Sequence, residues 1–168
     1  MQENEKKYKE YKKLMLSEVV TAIVVGALIY EIMDINGSYT DLNLIIPGVL
    51  LVFILLQGAG FQYYRMLTCG NKRFDEEQAV HAFDLLDKID PWLFAVYPVY
   101  LIAALIMSPA TVEQPTIIYG VLTVVIAALE YCNYYKQSLS YRNWSEKEPS
   151  DICKMLREYR EKRNGNTD

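Results

Sequence analysis

The chain has 168 residues, of which 52% are hydrophobic and 23% charged, and its formal net charge is −4. This hydrophobic content excludes a disordered chain, and three cysteines without a Cys-x-x-Cys motif are too few for a secreted disulfide scaffold. Mean hydropathy is only +0.02, but the apolar residues form four blocks, at about 14–33, 44–67, 91–108 and 115–135. Each block has roughly the 17–25 residues that a helix needs to cross the hydrocarbon core of a bilayer. The sequence therefore predicts an all-α, polytopic membrane protein with four transmembrane helices.

The basic residues predict the orientation of these helices. All 17 Lys and Arg residues fall before the first block, in and around the link between blocks two and three, or from Lys136 onward. The two short links around 34–41 and 109–113 contain none. Because basic residues are retained on the cytoplasmic side, we expect both termini and the central link to be cytoplasmic.

The four spans are expected to form two helical hairpins. Shifting the sequence by 71 positions aligns residues 61–65 with residues 132–136, each rich in aromatic residues and ending in a basic one. Since each copy would contain an even number of spans, the two hairpins would form a parallel internal repeat. Aromatic and basic residues are also typical of any span that ends at the inner interface, so the similarity has a second explanation.

Two amphipathic helices are predicted on the cytoplasmic side. The first covers about 74–90 and lies under the bundle, and Asp90 and Pro91 then mark the start of a separate third span. The second begins after Ser150 as its N-cap and ends near Asn164. We accordingly divide the chain into a four-span membrane bundle, 1–145, and a cytoplasmic amphipathic tail, 146–168.

One carboxylate, Glu130, lies well inside the fourth apolar block. An ionisable group in the middle of a bilayer costs about 2.5–3.5 kcal/mol on insertion scales and normally faces the bundle interior or a wet cavity. Its helical face continues towards the cytoplasm with further polar side chains, and a weaker polar face runs along the second block. The predicted polar pocket consists of Glu130, Asn133, Tyr134, Gln137, Gln57, Tyr64 and Arg65.

Two interpretations of this pocket stay open. In the first, it faces the cytoplasm and Glu130 binds a cation or moves a proton. In the second, the same side chains make hydrogen bonds between helices and have no further role, as polar residues in membrane bundles often do. No residue is predicted to be catalytic, and a single histidine without a cysteine cluster predicts neither a metal centre nor a cofactor.

The end of the fourth block resembles a known group of proteins. Residues 129–135, followed by Leu139, residues 141–143 and the helix from Asp151, are similar to the end of small bacterial integral membrane proteins. These carry Glu-Tyr-x-Asn-Tyr-Tyr at the end of their last span and have no assigned activity. The chain departs from their pattern at Ser138 and Arg142. The resemblance implies a bacterial inner-membrane setting and no particular chemistry.

The leading functional hypothesis is a non-enzymatic inner-membrane module that binds or regulates a partner through its tail and the 74–90 helix. The alternative is a membrane-embedded enzyme or carrier for a lipid-like or cationic substrate, with a pocket around Glu130. The expected partners are the lipid bilayer and either another protein or further copies of this chain. Nucleic acid is not expected, because the net charge is negative and topology accounts for the basic residues.

Overall fold

A computed structural model describes residues 2–37, 39–69, 76–108, 115–136 and 149–165. These residues form five α-helices: α1 (Gln2–Ile35), α2 (Leu42–Cys69), α3 (Glu76–Met107), α4 (Thr116–Tyr135) and α5 (Asp151–Gly165). The first four are long and apolar enough to cross a membrane. The prediction of an all-helical protein with four candidate spans is therefore confirmed.

Helix α2 is the centre of the bundle. It packs along α1 on one side and α4 on another, whereas α3 makes fewer contacts with both α2 and α4. In the apolar stretch of α2, 61% of the residues are buried inside the protein, against 6% in α1. Most of the buried side chains of the hydrophobic core come from α2 and α4 and include Leu51, Ile54, Leu55, Ala127, Tyr131 and Tyr135. The pairing into two hairpins and the internal repeat stay predictions.

Helix α3 differs from the expected break at Asp90 and Pro91. It is continuous through both Pro91 and Pro98, so the amphipathic segment predicted at about 74–90 is the first half of a longer helix. The first two residues of that segment lie outside the described residues. A proline inside a helix removes one backbone hydrogen bond, a loss that membrane bundles tolerate when neighbouring groups compensate. Asp90 is therefore an interior residue of α3 and not a cap, and its carboxylate accepts a hydrogen bond from Gln57.

Helix α4 approaches the other spans closely at Gly120. A Cβ at this position would overlap the backbone carbonyl oxygen of Asn43 at the start of α2 and the hydroxyl of Tyr97 on α3. Glycine is thus required here for the contact among three helices.

Helix α5 is docked on the bundle. Ser150 caps it as predicted, because its Oγ accepts a hydrogen bond from the Cys153 backbone N–H at 3.1 Å. The same hydroxyl donates to the backbone carbonyl of Tyr134 at the end of α4. Ile152 and Leu156 are each only 2% exposed and belong to the same hydrophobic core as the membrane helices. The described part of the predicted tail therefore packs as one unit with the spans.

Candidate functional site at the basal end of the bundle

Charged and tyrosine side chains meet at one end of the bundle, which we call the basal end. There the start of α1, the end of α2 and the start of α5 come together at Arg65. Its guanidinium donates to the Asp151 carboxylate at 2.5 Å and to the Tyr11 hydroxyl at 2.7 Å, and it lies 4.2 Å from the centre of the Tyr11 ring. This is the side of the protein that the basic residues predict to be cytoplasmic.

Three aspartates on α3 form an acidic stripe: Asp84, Asp87 and Asp90. Their spacing of three residues places them on one side of the helix, which faces the bundle and α5. Asp84 is 3% exposed and Asp90 is fully buried. Buried carboxylates require a cation or hydrogen-bond donors, and those donors come from every neighbouring element.

Arg160 on α5 is the main partner of the acidic stripe. Its Nε donates to Asp84 at 2.6 Å and a terminal nitrogen donates to Asp87 at 2.9 Å. The carboxylates of Asp87 and Asp84 together raise the pKa of the Arg160 guanidinium. Asp84 also pairs with Lys88 at 2.6 Å, while Asp87 pairs with Lys136 at 3.2 Å. The fork of one arginine thus holds α5 against α3.

The fully buried end of the stripe is bound to α2 and α4. Gln57 donates to one oxygen of Asp90 at 2.9 Å and accepts a hydrogen bond from the Tyr135 hydroxyl at 2.7 Å. One turn earlier on α4, the Tyr131 hydroxyl donates to Asp87 at 2.9 Å. These bonds join three spans through side chains alone.

A second polar group lies between α1 and α4. Glu18 on α1 and Glu130 on α4 are both partly buried and interact electrostatically with the hydroxyl of Tyr134. That hydroxyl is buried, and the side chains of Glu18 and Glu130 lie within hydrogen-bonding reach of it. The Tyr134 ring lies against Gly58 of α2, where a Cβ would overlap it.

A groove opens at the basal end between α2, α3 and α5. It has a volume of about 820 Å³, and we call it the basal groove. Tyr64 of α2 forms part of its wall and contacts the rings of Phe61 and Phe83, with centroid distances of 6.1 and 6.3 Å. The other side chains that line it are Glu76, Glu77, Val80, His81, Met155, Glu158, Tyr159, Lys162 and Arg163.

The structure distributes the predicted pocket residues over several places. Glu130 and Tyr134 lie together, and Asn133 is partly buried on the same helix. Gln57 belongs to the Asp90 group and Arg65 to the contact with α5, while Tyr64 lines the basal groove. Gln137 lies outside the described residues.

Sequence analysis missed Glu18, Arg160 and the acidic stripe. The spacing of the three aspartates was an available signal, but aspartates between apolar residues are also typical of a solvated helix face. Glu18 was a charge inside the first apolar block, and the residues that it approaches are more than 100 positions away in the chain.

Nothing in this arrangement forms a metal centre within the described residues, where no three His, Cys, Asp or Glu side chains are placed to hold an ion. In the acidic stripe, Asp84 and Asp87 are paired with Arg160, Lys88 and Lys136. The sequence matches no protein-family model, and the chain matches no curated protein and no solved structure.

Proposed function

We propose that the protein is a non-enzymatic module of a bacterial inner membrane, and that it binds a partner protein through its basal end on the cytoplasmic side. The observation that carries the proposal is the basal groove, whose walls are held in a fixed relation by the pairing of Arg160 with Asp84 and Asp87. A groove whose walls are fixed by a docked helix is a preformed binding surface. Preformation lowers the entropic cost of association.

The chemistry of the groove favours a polypeptide as its ligand. One wall, on α3, carries Glu76 and Glu77, and the facing part of α5 carries Lys162 and Arg163. Tyrosine and methionine side chains lie between the charges, as is common where a surface receives another protein. The partner segment that fits is an amphipathic helix with basic residues opposite α3 and acidic residues opposite the end of α5.

The ion pairs support a structural role for the charged residues. A catalytic group needs free space beside its reactive atom, whereas Asp84 and Asp87 direct their oxygens at Arg160, Lys88 and Lys136. The acidic stripe consequently holds α5 in place and leaves the groove residues to contact the partner.

Site-specific photocrosslinking in living cells tests the proposal. A photoreactive amino acid at Glu158, which lines the groove, is expected to trap one protein of defined mass. The same residue at Arg157, the exposed neighbour on α5, is the matched control and is expected to trap little of it. Equal adducts at both positions, or no protein adduct at Glu158, would overturn the proposal.

Charge reversal then tests recognition with the trapped partner after purification. Glu77→Lys on the groove wall is expected to weaken binding about tenfold, because a like charge then faces the basic residues of the partner. The control variant Glu161→Lys makes the same charge reversal at an exposed position of α5 outside the groove lining. Its affinity for the partner should equal that of the wild-type protein. Equal affinities for both variants would contradict the proposed mode of binding.

A further inference from the structure

Asp90, at the inner end of the acidic stripe, is a buried carboxyl group without a cation. The residue is 0% exposed. Its Oδ1 accepts a hydrogen bond from Gln57 at 2.9 Å, whereas its Oδ2 is buried and has no hydrogen-bond partner in the described part of the chain. None of the ion pairs formed by the described residues includes Asp90. In this it differs from Asp84 and Asp87, which share Arg160.

The side chains that face Asp90 from α2 and α4 carry no positive charge. Gln57 of α2 is an uncharged amide, and its oxygen is already engaged by the Tyr135 hydroxyl at 2.7 Å. On α4, the rings of Tyr131 and Tyr135 are stacked with their centroids 5.2 Å apart, and the Tyr131 hydroxyl donates to Asp87. The surroundings of Asp90 on these two helices therefore hold neutral groups only.

The charged groups nearest to Asp90 along the chain do not neutralise it either. Asp87 lies one helical turn away on the same side of α3 and is itself negative. Its oxygens are bound by Arg160 and Lys136, so both cations are engaged at the basal end. Lys88 is exposed and pairs with the first aspartate of the stripe. A negative charge on Asp90 would consequently be repelled by Asp87 and balanced by no partner.

We propose that Asp90 is a proton-binding site, and that its protonated form holds α3 against α2 and α4. An ionised carboxylate in this position loses its hydration and gains no counter-charge, which favours the neutral acid. An unpaired O–H at Oδ2 costs much less free energy than an unpaired charge. A proton also needs no cavity, whereas a metal ion requires several oxygen ligands around it.

The consequence is a contact between α3 and the rest of the bundle that depends on pH. In the apolar stretch of α3 only 11% of the residues are buried inside the protein, so few other contacts hold this helix. Ionised Asp90 would be stabilised by water, and water reaches it only when α3 moves away from α2. The folded bundle therefore binds the proton more tightly than the unfolded chain does. The stability that the proton contributes is present at low pH and is lost as the pH rises.

Infrared spectroscopy of the full-length protein in lipid nanodiscs detects this proton through the C=O stretching band of a protonated carboxylic acid. Labelling aspartate with ¹³C shifts the band and separates it from those of the partly buried Glu18 and Glu130. In the wild type we expect one aspartic acid band to persist well above pH ~3.9, where exposed aspartates ionise, and to vanish at higher pH. Absence of any such band above that pH would overturn the proposal, and this measurement needs no variant.

Two substitutions assign the band. It should be missing in Asp90→Asn and unchanged in Asp34→Asn, which removes an exposed carboxyl at the other end of the bundle. Persistence of the band in Asp90→Asn would assign the proton to another aspartate and overturn the proposal.

Gln57 tests whether the observed geometry sets the proton affinity. Its amide donates to Asp90 and so favours the ionised form. Gln57→Met removes this donor and should tighten proton binding about tenfold, so that the band persists to a pH about one unit higher. Gln62→Met makes the same change elsewhere on α2 and should leave the titration in place. An unmoved titration in Gln57→Met, or an equal shift in both variants, would contradict the assignment.

Thermal unfolding of the same samples at a series of pH values tests the effect on α3. Relative to Asp90→Asn, the unfolding midpoint of the wild type should fall as the pH rises through the range in which the band vanishes, because the amide is neutral throughout. His81 and the ion pairs of the basal end are common to both proteins and cancel in this comparison. Parallel pH profiles would overturn the role of the proton. Neither measurement involves a partner, so both are independent of binding at the basal groove.

Discussion

Two neighbouring glycines on α2 have different surroundings. A Cβ on Gly58 would overlap the ring of Tyr134, whereas a Cβ on Gly60 would meet no atom within 4 Å. Glycine in a span permits close helix contact, but the sequence alone does not distinguish these two. The difference depends on which side of α2 faces α4, and that side is fixed by packing between residues far apart in the chain.

Gly58→Ala is therefore expected to destabilise the protein, and Gly60→Ala is its matched control. The added methyl group must displace a buried ring, and overpacking of this kind costs about 1–3 kcal/mol in free energy of unfolding. At Gly60 the same change should be neutral or stabilise the helix by up to about 1 kcal/mol, because alanine loses less backbone entropy on folding.

The measurement is reversible unfolding in mixed detergent micelles, followed by circular dichroism. In a Tyr134→Ala background the cost of Gly58→Ala should largely disappear, since the ring that it displaces is gone. Equal destabilisation by the two glycine variants would show that contact with Tyr134 is not the cause.

The helices themselves could be predicted to different extents. Continuous apolar blocks identified four spans, because a bilayer imposes a minimum length of apolar sequence on each. The cap at Ser150 was also predictable, since it depends only on a residue three positions away. Asp90 and Pro91 gave an equally local signal for a helix start, and it was wrong because α3 continues through both residues.

The docking of α5 depends on Arg160. Removing its side chain in Arg160→Ala leaves Asp84 and Asp87 without their shared partner, so we expect hydrogen exchange of the α5 amides to accelerate about tenfold. Arg160→Lys should have an intermediate effect, because an ammonium group cannot span two carboxylates as a guanidinium does. The exchange rates are measured by mass spectrometry on the protein in nanodiscs.

Arg157→Ala is the control for this experiment. It removes the same charge from the same helix at an exposed position, so exchange in α5 should stay at the wild-type rate. If Arg157→Ala accelerated exchange as much as Arg160→Ala, net charge and not the pairing with the acidic stripe would determine docking.

At the scale of the whole molecule, polar interactions are concentrated at one end. The interactions of Arg65, Arg160 and Lys136 join all five helices at or near the basal end, while much of the outward surface of α1 and α3 is apolar. Composition could predict this segregation along the sequence, because charges are excluded from the hydrocarbon region. Composition could not predict the pairs, since each joins helices that are distant in sequence.

The same segregation predicts the orientation of the protein. The basal end contains basic residues, which we expect to stay in the cytoplasm, so the α1–α2 turn is expected on the opposite side of the membrane. In a chain without its native cysteines, Asn36→Cys in that turn should react with a membrane-impermeant maleimide on spheroplasts. Arg157→Cys on α5 is also exposed, and it should react only after the membrane is permeabilised. The reverse pattern would place the acidic stripe and the basal groove outside the cell, where no cytoplasmic partner could reach them.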